Sequence, residues 1–263
     1  MIIAVYARKL DQAEISTFAS LQEIAHRNNI QIVCHKNLED LIHVGSASEI
    51  KIFNTPKQLA HFNPSIFISV GGDGTLLDSI LYVKNNGTPV LGINTGRLGF
   101  LSNVSPKSLE ETINLLISGQ YITESRTLLE TKVEGHSKAS AISLNDVSVH
   151  KRDTSAMITI NCYLNNSFFN TYWADGLLVS TPTGSTAYSL SCGGPVLFPN
   201  AKSLLITPVA PHNLNVRPII ISDDTEVRLV IEGRGANFLM AFDSRNKVID
   251  YETTITIKKA AFD

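Results

Sequence analysis

The chain has 263 residues, enough for one large domain or two modest ones. Hydrophobic residues make up 43% and charged residues 17%, a balance that is ordinary for a globular protein and excludes a disordered chain. The formal net charge of -2 excludes a bulk polycation, so we expect no nucleic-acid partner.

Cysteine usage and apolar run length indicate the compartment. Cys34, Cys162 and Cys192 are odd in number and lack CxxC spacing, which argues against a disulfide framework or a zinc knuckle and is typical of a reducing cytosol. The seven histidines show no HxxxH or HExxH spacing, so no histidine-based metal site is predicted. No run approaches the ~20 apolar residues that span a bilayer. We predict a cytoplasmic protein without a membrane partner.

The first hundred residues alternate between strand-like and helix-like patterns. Short apolar runs predict strands at 2–6, 30–34, 65–70 and 89–93. Helical spacing of apolar residues predicts helices at 11–27, 76–84 and 106–118. This alternation predicts a parallel sheet covered by helices.

Beyond about residue 121 the pattern changes to short β-branched segments separated by turn residues. These predicted strands lie at 128–133, 141–149, 157–164, 177–180, 218–221 and 227–231, while 185–190 and 201–206 have a locally helical pattern. We therefore predict an α/β lobe over 1–100, a connecting helix over 101–122 and a β-rich lobe over 123–263. The functional site is expected in the cleft between the two lobes.

The sequence GGDGT at 71–75 follows a predicted strand and opens a predicted helix. Gly71, Gly72 and Gly74 remove side chains where a backbone must approach a ligand, and helix N-terminal amides form a cradle suited to phosphate. A carboxylate such as Asp73 is unfavourable there unless it takes a proton from an attacking hydroxyl or helps to hold Mg²⁺. Alone, the motif is equally compatible with a tight strand–turn–helix junction in which Asp73 caps the helix.

A second motif at 175–195 begins with Asp175-Gly176 and continues as STPTGSTAYSLSCGGP. Its hydroxyl and small side chains suit a loop and helix start that line a polar pocket, with oxygens for ribose or phosphate and Tyr188 to stack on a base. A Ser/Thr-rich surface turn is the alternative. The sequence contains neither GxxxxGK[ST] nor a GxGxxG after a strand, so a dinucleotide would bind as a substrate.

Several segments, in the same order, resemble the ATP-dependent NAD kinases. They are GGDGTLL at 71–77, NTGRLGFL at 94–101, Leu144-Asn145-Asp146, the 175–195 motif, and Pro211-His212-Asn213-Leu214 with Arg217-Pro218. The 175–195 motif is highly specific, whereas GGDGT is shared with diacylglycerol and sphingosine kinases. The resemblance implies a Rossmann-like α/β lobe, a nucleotide-binding β-sandwich lobe, and transfer of the ATP γ-phosphate to the 2′-hydroxyl of the adenosine ribose of NAD. Mg²⁺ or another divalent ion would accompany ATP.

The resemblance also implies roles for individual residues. Asp73 resembles the general base that deprotonates the 2′-hydroxyl, with Gly72 and Gly74 against the nucleotide. Asn145 and Asp146 match the pair that binds the second ribose or pyrophosphate side. Residues that match adenine or ribose contacts are Phe100, Thr186, Ala187, Tyr188, Ser189, Leu190 and Ser191. Asp175 and Ala210 match residues that bind the nicotinamide part, partly across a subunit interface, which implies a homodimer or homotetramer.

Two alternative functions remain at this point. A lipid kinase could use the same GGDGT cradle, although no basic amphipathic helix is evident. A sensor that binds NAD(P) without catalysis is disfavoured by the intact Asp73 and Asn145-Asp146. The sensor remains an alternative because the chain has Asp243-Ser244-Arg245 where the family often has Asp-Gly-Gln. A ligand contact that the family makes in this region is therefore not assigned to this chain.

Overall fold

The computed structural model describes residues 1–42, 50–97, 99–134, 141–152, 157–233, 237–251 and 253–263. The chain divides into two compact units, Met1–Glu124 and Ser125–Asp263. Within the described ranges, no helix is both long and apolar enough to cross a membrane.

The described part of the first unit contains one parallel sheet and four α-helices. The strands are β1 (Ile2–Ala7), β2 (Gln31–His35), β3 (Lys51–Phe53), β4 (Ile66–Val70) and β5 (Val90–Ile93). The helices are α1 (Gln12–Arg27), α2 (Pro56–Phe62), α3 (Asp73–Val83) and α4 (Leu109–Ile117). The strand order is β3-β2-β1-β4-β5, with every pairing parallel. Because the order reverses between β1 and β4, the carboxyl ends of these two strands flank the position where doubly wound sheets bind ligands.

Both faces of this sheet are buried, which explains why its strands are continuous apolar runs. Ile3 and Val5 of β1 pack in a cluster with Phe18 of α1, whereas Ala4 and Tyr6 belong to a cluster on the other face. The predicted parallel sheet with helices on its faces is confirmed.

The segment predicted as a connecting helix packs into the core of the first unit. A 3-10 turn at Pro106–Ser108 precedes α4, and Ser105 Oγ accepts a hydrogen bond from the Lys107 amide at 3.2 Å. Gly119 follows the helix with φ +69°. Leu109, Ile113 and Leu116 belong to the same cluster as β1 and α1, so α4 is part of the α/β unit.

The second unit, as far as its residues are described, consists of two antiparallel sheets and a short α-helix, α5 (Tyr188–Ser191). Its strands are β6 (Leu129–Val133), β7 (Ala141–Ser143), β8 (Asp146–His150), β9 (Ile158–Leu164), β10 (Ser167–Ala174), β11 (Gly176–Ser180), β12 (Ser203–Val209), β13 (Ile219–Ser222), β14 (Val227–Glu232), β15 (Asn237–Phe242), β16 (Arg245–Asp250) and β17 (Thr254–Lys259). The sheet orders are β10-β9-β14-β17-β6-β7 and β13-β12-β11-β8-β15-β16. One core cluster contains inward-facing residues from both sheets, which makes the unit a β-sandwich. The predicted fold classes of both halves are therefore confirmed.

One local prediction in the second unit is wrong, and another is right only in part. Residues 201–206 were expected to be locally helical, but β12 begins at Ser203 and pairs with β11 and β13. Leu204, Leu205 and Ile206 are all fully buried there, so sheet pairing overrides a weak helical pattern. The predicted strand at 141–149 is interrupted at Leu144-Asn145, between β7 and β8.

Candidate active site

The GGDGT segment forms the junction between β4 and α3. Gly71 has φ +146°, and a Cβ there would lie 2.3 Å from Thr75 Oγ1, so both conformation and space require glycine. A Cβ on Gly72 would meet no atom within 4 Å, which leaves that backbone open to approach. The amides of the first turn of α3 precede the helical hydrogen-bond ladder. The junction therefore has the open backbone and N-terminal amides that bind phosphate groups.

The carboxylate of Asp73 is held by the backbone amides of residues 100–102, at the end of the NTGRLGFL motif. Its Oδ2 accepts a hydrogen bond from the Phe100 amide at 2.8 Å. Its Oδ1 accepts from the amides of Leu101 at 3.1 Å and Ser102 at 2.9 Å. A carboxylate offers about four acceptor positions. These bonds therefore orient Asp73 and leave one acceptor position, on Oδ2, for a further donor.

Gly99 makes room for this carboxylate. A Cβ on Gly99 would lie 2.2 Å from Asp73 Oδ1 and 2.6 Å from Oδ2. The two sequence motifs are thus parts of one structure, in which the loop supplies both the hydrogen-bond donors and the space. Phe100, predicted to pack on adenine, is 74% exposed, so its ring is accessible to a ligand.

Two charged residues outside the predicted set flank the junction between β4 and α3. Arg8 follows β1, with its Nε 3.2 Å from Asp78 Oδ2 and its Nη1 3.6 Å from the Cβ position of Gly74. Glu14 of α1 is buried, and burial followed by the charge of Asp11 raises its pKa to about 7. Arg8 brings positive charge to the loop. The signal that could have found it is its position directly after a central strand at the sheet's switch point.

Asn145 lies in the interruption between β7 and β8, and Asp146 is the first residue of β8. Asn145 contacts the segment that follows β11. The Asn145 carbonyl accepts a hydrogen bond from the Thr181 amide at 2.9 Å. A Cβ on Gly184 would lie 2.0 Å from that carbonyl oxygen, so this close approach requires glycine. Asp146 is 6% exposed, and burial, followed by the neighbouring Asp243 carboxylate, raises its pKa to about 7.

Several hydroxyls of the 175–195 motif bind the protein itself. Ser185 Oγ donates to the Pro182 carbonyl at 2.6 Å and accepts from the Leu197 amide at 2.9 Å. Ser189, which was predicted to contact the nucleotide, is fully buried and shares a hydrogen bond of 2.8 Å with Thr207. These hydroxyls shape the segment from within.

The other predicted residues of this segment are more accessible. Tyr188 and Leu190 are 42% and 44% exposed. Ser191 is also exposed, whereas Thr186 and Ala187 are half-buried. The Thr186 hydroxyl donates to the Thr183 carbonyl at 3.1 Å and keeps its lone pairs as acceptors. A ligand can therefore reach this segment through Tyr188, Leu190 and Ser191 and the edges of Thr186 and Ala187.

His150, which no sequence motif identified, interacts with both Tyr188 and Asp175. The rings of Tyr188 and His150 stack with centroids 5.7 Å apart. Burial lowers the pKa of His150, and Asp175 acts in the opposite direction. Asp175 Oδ1 lies 2.6 Å from the ammonium of Lys151, the residue after His150. No motif marks His150; its register opposite Gly176 in the sheet brings it here.

Ala210 lies near Asp175 in the sandwich unit. It follows β12, and the Asp175 amide donates to the carbonyl of the preceding Val209 at 3.0 Å. Ala210 has φ +44°, a left-handed conformation that costs a non-glycine residue about 1–3 kcal/mol. Such local strain is commonly retained at ligand-binding positions.

Comparison with known proteins places these features in a family. The family model of the ATP-NAD kinase N-terminal domain matches residues 8–121, and that of the ATP-NAD kinase C-terminal domain matches residues 144–262. An NAD kinase of Flavobacterium psychrophilum is 42% identical over 267 residues, covering 100% of this chain and 90% of the relative. An NAD kinase of Bacteroides fragilis is 41% identical with the same coverage.

Two solved structures share the fold. Yeast NADH kinase complexed with NADH superposes with a TM-score of 0.88 at 22% identity, over 99% of this chain and 78% of that one. An NAD kinase from Archaeoglobus fulgidus in complex with ATP gives a TM-score of 0.77 at 26% identity, over 100% and 91% of the two chains. With both domain models matched in order and full-length relatives at about 40% identity, the chain belongs to the ATP-NAD kinase family.

Proposed function

We propose that this chain transfers the γ-phosphate of ATP to the 2′-hydroxyl of the adenosine ribose of NAD, giving NADP and ADP, with Asp73 as the general base. The observation that carries the assignment is the Asp73 carboxylate, which the 100–102 amides hold at the N-terminus of α3. Family membership and the NAD kinase activity of the named relatives support the same reaction.

In this mechanism the acceptor hydroxyl donates a hydrogen bond to the remaining acceptor position on Asp73 Oδ2. As the hydroxyl oxygen attacks the γ-phosphorus, its proton passes to the carboxylate. The bond between the γ-phosphorus and the bridging oxygen breaks, and ADP leaves with that electron pair. The three backbone hydrogen bonds keep the base in one orientation, so positioning supplies part of the rate.

The phosphate groups are proposed to bind the open backbone of Gly72 and Gly74 and the first-turn amides of α3. Arg8, beside Gly74, would add positive charge near the transferred group. No cluster of three His, Cys, Asp or Glu side chains within the described ranges is arranged to hold a metal ion. We propose that Mg²⁺ enters as part of the ATP substrate, where it lowers the charge on the phosphates.

The acceptor nucleotide is proposed to bind residues of both motifs in the β-sandwich unit. Asn145 and Asp146 would bind ribose hydroxyls, and Tyr188 would stack on a base. Phe100 is proposed to pack on adenine. Asp175 and Ala210 would bind the nicotinamide part. We further propose a homodimer or homotetramer in the cytoplasm. The free thiols of the three cysteines are compatible with that reducing compartment.

The test compares Asp73→Asn with wild type in a mixture of NAD, ATP and Mg²⁺ that is assayed for NADP. We expect NAD affinity to be retained and kcat to fall about 10²–10⁴-fold, the usual contribution of a general base. Asp11→Asn is the matched control, because the Asp11 carboxylate also accepts two backbone amides, those of Ala13 and Glu14, at the start of α1. An unchanged kcat in Asp73→Asn would contradict the assigned role.

The same assay separates the alternative functions. A sensor would be stabilised thermally by NAD or NADP but form no NADP from NAD and ATP. A lipid kinase would show neither stabilisation nor NADP formation, and would phosphorylate diacylglycerol or sphingosine instead.

A further inference from the structure

The turn between β15 and β16 carries a buried carboxylate. Phe242 and Arg245 pair across it, so the turn contains only Asp243 and Ser244. Asp243 has φ +52°, a left-handed conformation that Asp and Asn tolerate better than most residues. Its side chain is 3% exposed. A short turn therefore holds a carboxylate inside the sandwich unit, where it needs hydrogen-bond donors.

Those donors come from the backbone of residues 144–146. Asp243 Oδ2 accepts from the Leu144 amide at 3.0 Å, and Oδ1 accepts from the amides of Asn145 at 2.8 Å and Asp146 at 3.2 Å. In return, the Asp243 amide donates to the Asp146 carbonyl at 3.0 Å. One side chain thus fixes three consecutive peptide units.

Arg245 links Asp243 to the neighbouring strand β7. Its Nη2 donates to the carbonyl of Ile142 in β7 and lies 3.8 Å from Asp243 Oδ2. On the other side of the chain, Thr181 Oγ1 donates to the Leu144 carbonyl, and the Thr181 amide donates to the Asn145 carbonyl. The 144–146 segment is therefore held through its backbone from two sides, and none of these bonds uses the side chain of Asn145 or Asp146.

We propose that Asp243, assisted by Arg245, is a positioning residue that orients Asn145 and Asp146 toward the acceptor nucleotide. This inference rests on the proposed function, which assigns NAD binding to that pair. The departure from the family at Ser244 and Arg245 leaves the carboxylate in place.

The test uses Asp243→Asn, because asparagine keeps the left-handed turn but replaces one acceptor oxygen by an NH₂ donor that faces amide donors. Asp223→Asn is the matched control. Asp223 is also buried in the sandwich unit, at 12% side-chain exposure, and accepts a hydrogen bond from Lys259 Nζ at 2.7 Å. Hydrogen exchange of the 142–147 amides, NAD affinity by calorimetry, and KM values for both substrates are measured on the purified full chain.

In Asp243→Asn we expect amide exchange at 142–147 and the KM for NAD each to rise about 10–100-fold, the effect of losing one or two charge-assisted hydrogen bonds. The KM for ATP should change less than about 2-fold, because the substitution weakens the binding of NAD and does not alter the groups that bind ATP. Asp223→Asn should leave the KM for NAD at the wild-type value. Equal KM values for NAD in the two variants would overturn the proposal, even if exchange at 142–147 increases.

Two further measurements cover the remaining outcomes. If wild type forms no NADP, the proposed kinase function fails, but the calorimetric NAD affinity still tests the positioning role. Weaker NAD binding in Asp243→Asn than in Asp223→Asn supports that role. Equal NAD binding in the two variants, or no NAD binding in wild type, overturns it. If Asp243→Asn does not fold, Arg245→Gln replaces it. In Arg245→Gln, a severalfold rise in the KM for NAD without a rise in the KM for ATP supports the proposal, and an unchanged KM for NAD overturns it.

Discussion

Replacing Gly99 by alanine tests whether the position of the Asp73 carboxylate matters while leaving its chemistry intact. The added Cβ would lie 2.2 Å from Asp73 Oδ1 and 2.5 Å from its Cγ. Because non-bonded heavy atoms prefer separations of about 3.5 Å, the carboxylate must move by roughly 1 Å. The side chain is short and held by three amides, so it cannot move without loss of those hydrogen bonds.

The size of the effect follows from these contacts. Each hydrogen bond to a charged group contributes about 1.5–3 kcal/mol, and partial loss of three should lower the free energy of unfolding by on the order of 2–4 kcal/mol. A displacement of about 1 Å from productive geometry can reduce a rate about 100-fold, so we expect kcat for NADP formation to fall by about that factor.

The assay combines denaturant unfolding with steady-state NADP formation at saturating NAD and ATP. Gly96→Ala is the control in the same loop, because a Cβ there would lie 4.0 Å from its nearest neighbour, Asn94 Oδ1. If Gly99→Ala matches Gly96→Ala in both kcat and unfolding free energy, the loop does not position the carboxylate and the reasoning is refuted.

Two other predictions concern the Asn145–Asp146 segment. In Gly184→Ala the Cβ would lie 2.0 Å from the Asn145 carbonyl oxygen, so we expect a loss of about 3 kcal/mol or more in denaturant unfolding and weaker NAD binding; wild-type stability would contradict this. The pKa of Asp146 is about 7 in the folded state and 3.8 ordinarily. As the pH rises from about 4 to 7, Asp146 therefore loses its proton in the unfolded chain before it does so in the folded one. The free energy of unfolding falls over that range. Between about pH 5 and 8, the free energy of unfolding should fall by on the order of 2–3 kcal/mol less in Asp146→Asn than in wild type. The same pH dependence of urea unfolding in both proteins would refute the raised pKa.

Local sequence patterns were sufficient for the fold classes of both halves. Apolar runs of strand length alternating with helical spacing predicted the parallel sheet, and short β-branched segments predicted the antiparallel unit. These patterns work because the side-chain period of a helix or strand is a local property of the backbone. They failed at 201–206, where burial between two neighbouring strands decided the conformation.

The GGDGT and 175–195 motifs pointed to Asp73 and the 175–195 segment, whereas Asn145 and Asp146 came from the resemblance to the NAD kinases; all of them remain predicted site residues. Only the tertiary structure decided which groups hold them. The donors to Asp73 come from residues 27 to 29 positions further along the chain, and those to Asp243 from residues 97 to 99 positions before it. Such partners are backbone amides, which every residue except proline carries, so no residue type in the sequence marks them.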